Sequence, residues 1–421
     1  MATENNNKNL NVPNKREQSQ TCLGYAERKE QSPQGNVPNL RFPEFSGEWD
    51  RYKLEEVATI SKERIGVDML SSKNYISTEN MRSNFGGVGE ATNLPASGNV
   101  MKFQQGDTLL SNIRPYLKKI WKAEFSGGCS ADIFVFRSNT LCNQDFLYYT
   151  LANEKFISYA MSGAKGVKMP RGDKEQMLKY ELHLPTTTEQ DKITSLLSLL
   201  DERIATQIKI IEDLKKLKSA ISNKLFARKD LLEKQITISE IGTLKNGYAF
   251  QSSTYNPAGS YKIITIANVS GERYIDIDSC NCIMRIPEDI QTHQVLKQDD
   301  ILISLTGNVG RVSLCTEGNY LLNQRVGLLK LKQGVNREYI YQALSCRRFE
   351  QTMISCGQGA AQMNIGKGDV EDYTIPYSAN SLNLEVVAST LKTYDLLISV
   401  EVDKLRLFMQ QKQYLLAQMF I

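Results

Sequence analysis

One segment of this chain is written twice. Gln105-Gly106-Asp107-Thr108-Leu109-Leu110 recurs as Gln298-Asp299-Asp300-Ile301-Leu302-Ile303, 193 residues further on. In both halves a hydrophobic segment with a glycine-rich tail follows, residues 146–166 and 339–359. A short strand closing on proline comes next, Leu182-His183-Leu184-Pro185 against Tyr373-Thr374-Ile375-Pro376. Each half then ends in a long amphipathic stretch, finishing at Leu225-Phe226 and at Met419-Phe420. A solenoid unit repeats every 20 to 50 residues or so, so the duplicated object here is a whole domain plus a spacer. Such a chain carries two like modules on equivalent frames and can grip two related targets a fixed distance apart.

The 421 residues are enough for two or three domains, each with its own core. A net charge of +4 and a pI near 8.4 favour anionic partners only weakly. Residues 1–40 lack the apolar run of a signal peptide. No stretch approaches the roughly 18 apolar residues of a membrane span, so a cytoplasmic protein with no membrane partner is expected. Of the eight cysteines only Cys280-Asn281-Cys282 is close-set, and it lacks the paired spacing of a zinc site. Reduced thiols and no bound metal are therefore expected. The two histidines, His183 and His293, give little material for a histidine-based catalytic centre. His183 alternates with Leu182 and Leu184 and is expected to face out of its strand.

The expected fold class is α+β, with two tandem mixed α/β domains separated by two long helices that form an antiparallel coiled coil. Residues 1–36, rich in Asn and Gln, read as a disordered tail. The first domain is placed at 37–185, a long central spacer helix at 186–234, the second domain at 235–378 and a C-terminal spacer helix at 379–421. Trp49 is the first large anchor. Short apolar runs at 107–113 and 132–137, set between Gly, Asn and Ser turns, suggest strands. Residues 146–160 repeat apolar positions at helical spacing and predict one helix.

Thr188 is a candidate cap for the central helix, with Glu189 and Asp191 in its first turn, where the helix dipole favours acids. The apolar stripe is Ile193, Leu197, Leu200, Ile204, Ile208, Ile211, Leu214, Leu217, Ile221 and Leu225. Its mean spacing of about 3.6 residues is that of an α-helix. The second copy is Val387, Leu391, Tyr394, Ile398, Val402, Leu405, Phe408, Leu415 and Phe420. No Gly or Pro interrupts residues 189–234. Two such stripes have an obvious partner in each other, although each could instead pack on its own domain. A return through a whole domain makes the antiparallel geometry natural. Residues 71–100 and 241–290 share little, so a common frame is expected to carry two different recognition surfaces.

Catalytic signatures are missing. Gly366-Lys367-Gly368 lacks the upstream glycine and the hydroxyl of a phosphate-binding loop. Arg114-Pro115-Tyr116 lacks the amide and one proline of an adenine-methyltransferase loop. Gly86-Gly87-Val88-Gly89 sits among polar residues and reads as a turn. There is no nucleophile elbow, zinc motif or dinucleotide fingerprint, and no catalytic residue is nominated.

What remains is a set of polar, basic loops. The run from Ser111 to Lys119 carries Asn112, Arg114, Lys118 and Lys119, and its counterpart from Ser304 carries Asn308 and Arg311. The glycine-rich tails and the residues after them add Lys165, Lys168 and Arg171 in one half. In the other they add Gln358, Gln362, Asn364 and Lys367. Arg can read guanine through two hydrogen bonds, Asn and Gln can read adenine, and Lys chiefly neutralises phosphate. Basic loops are often no more than solvated surface. Their equivalent placement in both halves is what makes these candidates for DNA contact.

Residues 37–421 resemble the specificity subunits of bacterial type I restriction–modification systems. The carrying residues are the run Leu40-Arg41-Phe42-Pro43-Glu44-Phe45-Ser46-Gly47-Glu48-Trp49 and Tyr52-Lys53-Leu54-Glu55-Glu56-Val57. Gly106 to Ser111 with Ile113-Arg114-Pro115-Tyr116, Asp300 to Ser304 with Gly307-Asn308-Val309-Gly310, and the pair of proline-preceded long helices add to them. The resemblance implies two target-recognition domains, each reading half of a split, asymmetric site on double-stranded DNA. It implies an antiparallel coiled coil that spaces them and docks the methyltransferase subunits. It further implies two modification subunits, which bind S-adenosylmethionine and methylate adenine, and two ATP-driven restriction subunits. S-adenosylmethionine, ATP and Mg then belong to the partners, and this chain needs no cofactor of its own. Two other classes compete: a self-contained restriction or methylation enzyme, for which there is neither room nor motif, and a coiled-coil scaffold without DNA specificity.

Overall fold

The computed structural model describes residues 35–357 and 363–421. The expected tail lies outside the described residues but for Gly35 and Asn36. The chain forms two compact units, one reaching to Thr194 and completed by Leu415–Ile421, the other Ser195–Tyr414.

In the first unit a ribbon pairs Asp50–Lys53 antiparallel with Glu181–Leu184. A four-stranded sheet runs in the order Ala58–Ile60, Ile133–Ser138, Thr108–Ser111, Ile120–Lys122. Leu109 lies opposite Val135 on one side and Trp121 on the other. The sheet packs on Phe103, Met81, Ile76 and Cys129, whose thiol burial pushes up to about 12. A second sheet holds Arg64–Gly66, Asn99–Phe103, Gly127–Cys129 and Tyr75–Ile76.

The second unit repeats the plan. Its ribbon is Lys234–Thr237 with Thr374–Tyr377. Its four-stranded sheet is Gly242–Asn246, Val326–Leu331, Ile301–Ser304, Val312–Leu314, and its other sheet has three strands, Asn281–Ile283, Tyr261–Ile264 and Tyr320–Leu322. The duplicated hexapeptide makes the same turn in both. Gly106 and Asp299 have positive φ, +94° and +63°, a conformation open to Gly and tolerated by Asp. The next residue, Asp107 or Asp300, accepts a hydrogen bond from the backbone of Gln104 or Lys297, 2.8 Å in each case.

Residues 71–100 and 241–290 share more than expected. The amide of Ser77 donates to Asn80 Oδ1 at 2.6 Å, and that of Thr265 donates to Asn268 Oδ1 at 2.8 Å. Each turn follows a strand that runs parallel to its neighbour. Side-chain turns of this kind need only one Asn at a fixed step, which leaves the surrounding sequence free to drift. The helix expected over 146–160 is two helices, Gln144–Leu151 and Glu154–Ser162. Asn153 ends the first and caps the second by accepting from Lys155 N at 3.0 Å.

The long helices are Thr187–Phe226 and Ser381–Met419, 40 and 39 residues. The first therefore runs about 60 Å at 1.5 Å per residue. It starts at Thr187, so Thr188 lies inside the first turn and is not its cap. Glu189 there receives a forked pair of hydrogen bonds from Arg41, at 2.7 and 2.8 Å. Within the second unit the helices pair antiparallel: Lys412 meets Asp201 at 2.6 Å, Gln207 meets Glu401, and Lys218 meets Asp395 at 2.5 Å.

The seam differs from the predicted stripe. Ile208, Leu217 and Val402 are exposed, and Gln207 and Glu401 are buried, with Lys218 half-buried. Inward positions step alternately by three and four residues, the 3.5-residue repeat of a left-handed coil rather than the 3.6 of a straight helix. Ile193, Leu197, Leu200, Ile211, Leu391, Ile398 and Leu415 are buried. Ile204, Leu214, Ile221, Leu225, Leu405 and Phe408 are half-buried. Ile221, Leu225 and Phe226 leave the seam to pack on the core of the second domain, around Tyr339.

Candidate nucleic-acid interface

The basic loops named from sequence come together in pairs, through backbone hydrogen bonds that recur in both units. In the first unit, where the strand Thr108–Ser111 ends, Asn112 N donates to Asp132 O at 2.9 Å. Gly172 N donates to Asn112 O at 2.8 Å, and Arg114 N donates to Pro170 O at 2.7 Å. In the second unit Leu305 N donates to Arg325 O at 3.0 Å, Ile365 N to Leu305 O at 2.9 Å, and Gly307 N to Met363 O at 3.0 Å. The two sets differ by a constant 193 residues. Isolated bridges join Ile113 to Arg171 and Thr306 to Asn364 at the same offset. Each unit thus builds one corner, in which the strand loop, residues 170–172 or 363–365, and the approach to a sheet strand lie side by side.

Arg114 and Asn308 lie in equivalent loops, and within them the register matches Arg114 to Gly307. Both have positive φ, +51° and +70°. A non-glycine residue held there costs about 1–2 kcal/mol. Lys118, at +52°, matches Gly310 at +77°, and the second loop is one residue shorter.

Not every candidate cation is at liberty. Lys118 is paired with Glu154, and Lys119 Nζ donates to Thr78 O at 2.5 Å. Lys165 holds Asp173 at 2.8 Å, Arg171 holds Asp132 at 3.1 Å, and Lys367 lies 3.6 Å from Glu371. Arg311 lies 3.7 Å from Glu350. Most of these pairs are solvent-exposed, worth at most about 1 kcal/mol, and a phosphate can exchange into them. Lys168 is exposed, between Val167 and Met169, which are exposed too. Asn308 and Asn364 are also exposed, while Asn112 and Arg114 are half-buried. Gln358 and Gln362 lie outside the described residues.

Three buried polar atoms at these corners have no hydrogen-bond partner among the described residues: Asn112 Oδ1, Arg114 Nε and Thr306 Oγ1. Sequence reasoning missed Asp132 and Arg325, which the sheet places beside the loops. Their signal was position alone: each immediately precedes an apolar strand, and the loop amide bonded to its carbonyl is 20 residues away in sequence.

The family model for the type I restriction modification DNA specificity domain matches residues 46–216 and again residues 233–405. The chain belongs to that family and holds two copies of its domain. It is similar to two specificity subunits of Methanocaldococcus jannaschii. The type I restriction enzyme MjaVIII specificity subunit is 26% identical over 290 residues, 63% of this chain and 66% of that protein. The putative type I restriction enzyme MjaX specificity subunit is 26% identical over 243 residues, 54% of this chain and 55% of that protein. The chain therefore spans slightly under two thirds, and slightly over half, of these curated relatives. Among solved structures, the S subunit of a type I restriction–modification system from M. genitalium covers 91% of this chain and 99% of its own. The TM-score is 0.56 at 15% identity. A chain from a study of complex assembly in a type I R-M system matches with a TM-score of 0.51 at 18% identity, covering 87% of this chain and 96% of its own. These likenesses establish the shared fold of tandem domains and long helices.

Proposed function

We propose that this chain is the DNA-recognition subunit of a type I restriction–modification complex and performs no catalysis itself. The observation that carries the reading is the repeated corner, one polar and basic hydrogen-bonded frame built twice with different side chains on it. Two modules of one plan suit a split site on double-stranded DNA whose halves differ in sequence. Asn112, Arg114, Lys165, Lys168 and Arg171 contact one half, and Asn308, Arg311, Asn364 and Lys367, with Gln358 and Gln362, contact the other. Lys118 and Lys119 support the first loop through their own partners and reach the backbone phosphates.

The helix pair sets the gap between the half-sites and docks two methyltransferase subunits, which flip the target base. Exposed apolar side chains on the paired helices, among them Leu199, Ile208, Leu217, Leu396, Val400 and Leu407, support such docking. Two restriction subunits complete the assembly. S-adenosylmethionine, ATP and Mg are bound by these partners. None of the described helices is long and apolar enough to cross a membrane, and the complex works in the cytoplasm.

The test is co-expression with the cognate methyltransferase followed by genome-wide methylation mapping. A bipartite adenine-methylated motif that disappears when this chain is omitted is expected. Methylation by the isolated chain, or methylation without sequence preference, would overturn the reading.

A further inference from the structure

The two corners share a frame but not the same side chains, and the differences lie at defined positions. In the first unit Asp132 and Arg171 flank Asn112 on its two sides. Arg171 Nη1 sits 3.1 Å from Asp132 Oδ1, and the arginine side chain is 57% exposed. In the second unit the matching residues are Arg325 and Asn364, flanking Leu305, both exposed. The arginine has changed sides. Where the first unit places a carboxylate, the second places a guanidinium, and where the first places a guanidinium, the second places an amide. Arg325 has no ion-pair partner among the described residues, and its own amide is held by Asn323 Oδ1 at 3.2 Å.

We infer that the pairs Asp132/Arg171 and Arg325/Asn364 are one matched specificity position, and that their exchange makes the two half-sites differ. The inference rests on the reading of the chain as a DNA-recognition subunit. Asp132 Oδ1 lies 3.1 Å from Arg171 Nη1, and the arginine side chain is more than half exposed. The remaining N–H groups can then meet the O6 and N7 acceptors of guanine. Arg325 presents the same fork from the opposite side of the second corner. Asn364 presents one donor and one acceptor, the pattern that pairs with the N6 and N7 of adenine. The nearby lysines, being point charges, attract the duplex without reading it.

Both positions are exposed, and their backbones are held by bridges that side-chain exchange does not remove. Arg171→Asn and Asn364→Arg, each made in the full-length chain and expressed with its methyltransferase, are therefore suitable probes. The expected result is a change of preference at one base pair, by roughly 10- to 100-fold, with the other half-site and the gap unaltered. Arg171→Asn should alter one half of the motif and Asn364→Arg the other. Arg171→Lys keeps the charge but loses the fork, so it should fail as Arg171→Asn does. Arg325→Gln provides an independent probe in the second unit should a substitution at 364 impair folding.

Motifs unchanged in all four variants would overturn the inference. So would a uniform loss across all sequences with a smaller salt slope, the mark of a phosphate contact, and so would full specificity in Arg171→Lys. If the wild-type complex gave no bipartite motif at all, the recognition reading would fall first and this inference with it.

Discussion

Gln207 donates a hydrogen bond from Nε2 to the Glu401 carboxylate at 2.6 Å and another to its backbone carbonyl at 2.9 Å, inside the seam of the helix pair. The two residues hold the same position in the two repeats. On either side stand the pairs Asp201–Lys412 and Lys218–Asp395, which are likewise one pair seen from opposite ends. A polar contact in an apolar seam fixes register at a cost in stability. Replacing both members by leucine should therefore raise the melting midpoint by a few degrees. Glu401→Leu alone should lower it, because the buried Gln207 amide then loses its carboxylate acceptor and keeps only the backbone carbonyl of residue 401. Calorimetry of the two variants checks both signs.

The second domain carries a buried charge network that should dominate its stability. Arg273 bonds Glu338 at 2.8 and 2.6 Å and Asp395 at 3.1 Å, and stacks 5.1 Å from the ring of Tyr341. Arg273→Met leaves Glu338 without its cation, while Asp395 keeps Lys218, and should cost about 3 kcal/mol at neutral pH, since removing one member of a buried pair exposes the desolvation of the other.

The same network sets an acid dependence. Burial pushes the Glu338 carboxyl up, but hydrogen bonds from Arg273 and Gln342 outweigh it and hold the group below its ordinary value. Its stabilisation is present above the unfolded value of about 4.3 and is lost as pH falls through the lowered folded one. The difference in melting midpoint between wild type and Arg273→Met should thus be largest near pH 7 and shrink below about pH 4. A constant difference from pH 7 to pH 3.5 would exclude Glu338 as the origin.

Arg114→Gly separates stability from recognition. Glycine is the residue at the matching position, 307, and it accepts positive φ without strain. The variant should melt at or above the wild-type temperature, yet bind DNA more weakly in the presence of the methyltransferase. A loss of stability would show that the arginine side chain holds the loop.

Modularity gives a broader outcome. Replacing residues 236–378 with the corresponding segment of another family member should change one half of the methylated motif and leave the other. A change in both halves, seen by methylation mapping, would sink the division of labour between the domains.

The repeat made most of the frame legible. The hexapeptide turn, the strand closing on proline and the long helices all rest on local chemistry that a sequence displays. The seam was misjudged at Ile208 and Leu217 because apolar residues were weighted over Gln207 and Lys218. The polar pair fits a 3.5-residue period that no single side chain reveals. The helix over residues 146–160 was split by Asn153, a capping residue that resembles any other polar position until its amide is traced. Its Nδ2 donates to Leu416 O at 2.7 Å. Asp132 and Arg325 went unnoticed for a different reason. They are joined to the loops at Asn112 and Leu305 by backbone register, which a linear reading cannot supply.

The first unit is completed by residues from far along the chain. Phe420 packs on Phe146 with ring centroids 4.9 Å apart, and Leu40 N donates to Gln418 O at 2.9 Å. At a synthesis rate of about 5–20 residues per second, the ribosome works for roughly 10–50 s after finishing the first domain before these side chains exist. During that interval the nascent module carries an open hydrophobic slot, so its final closure waits on translation of the whole second half.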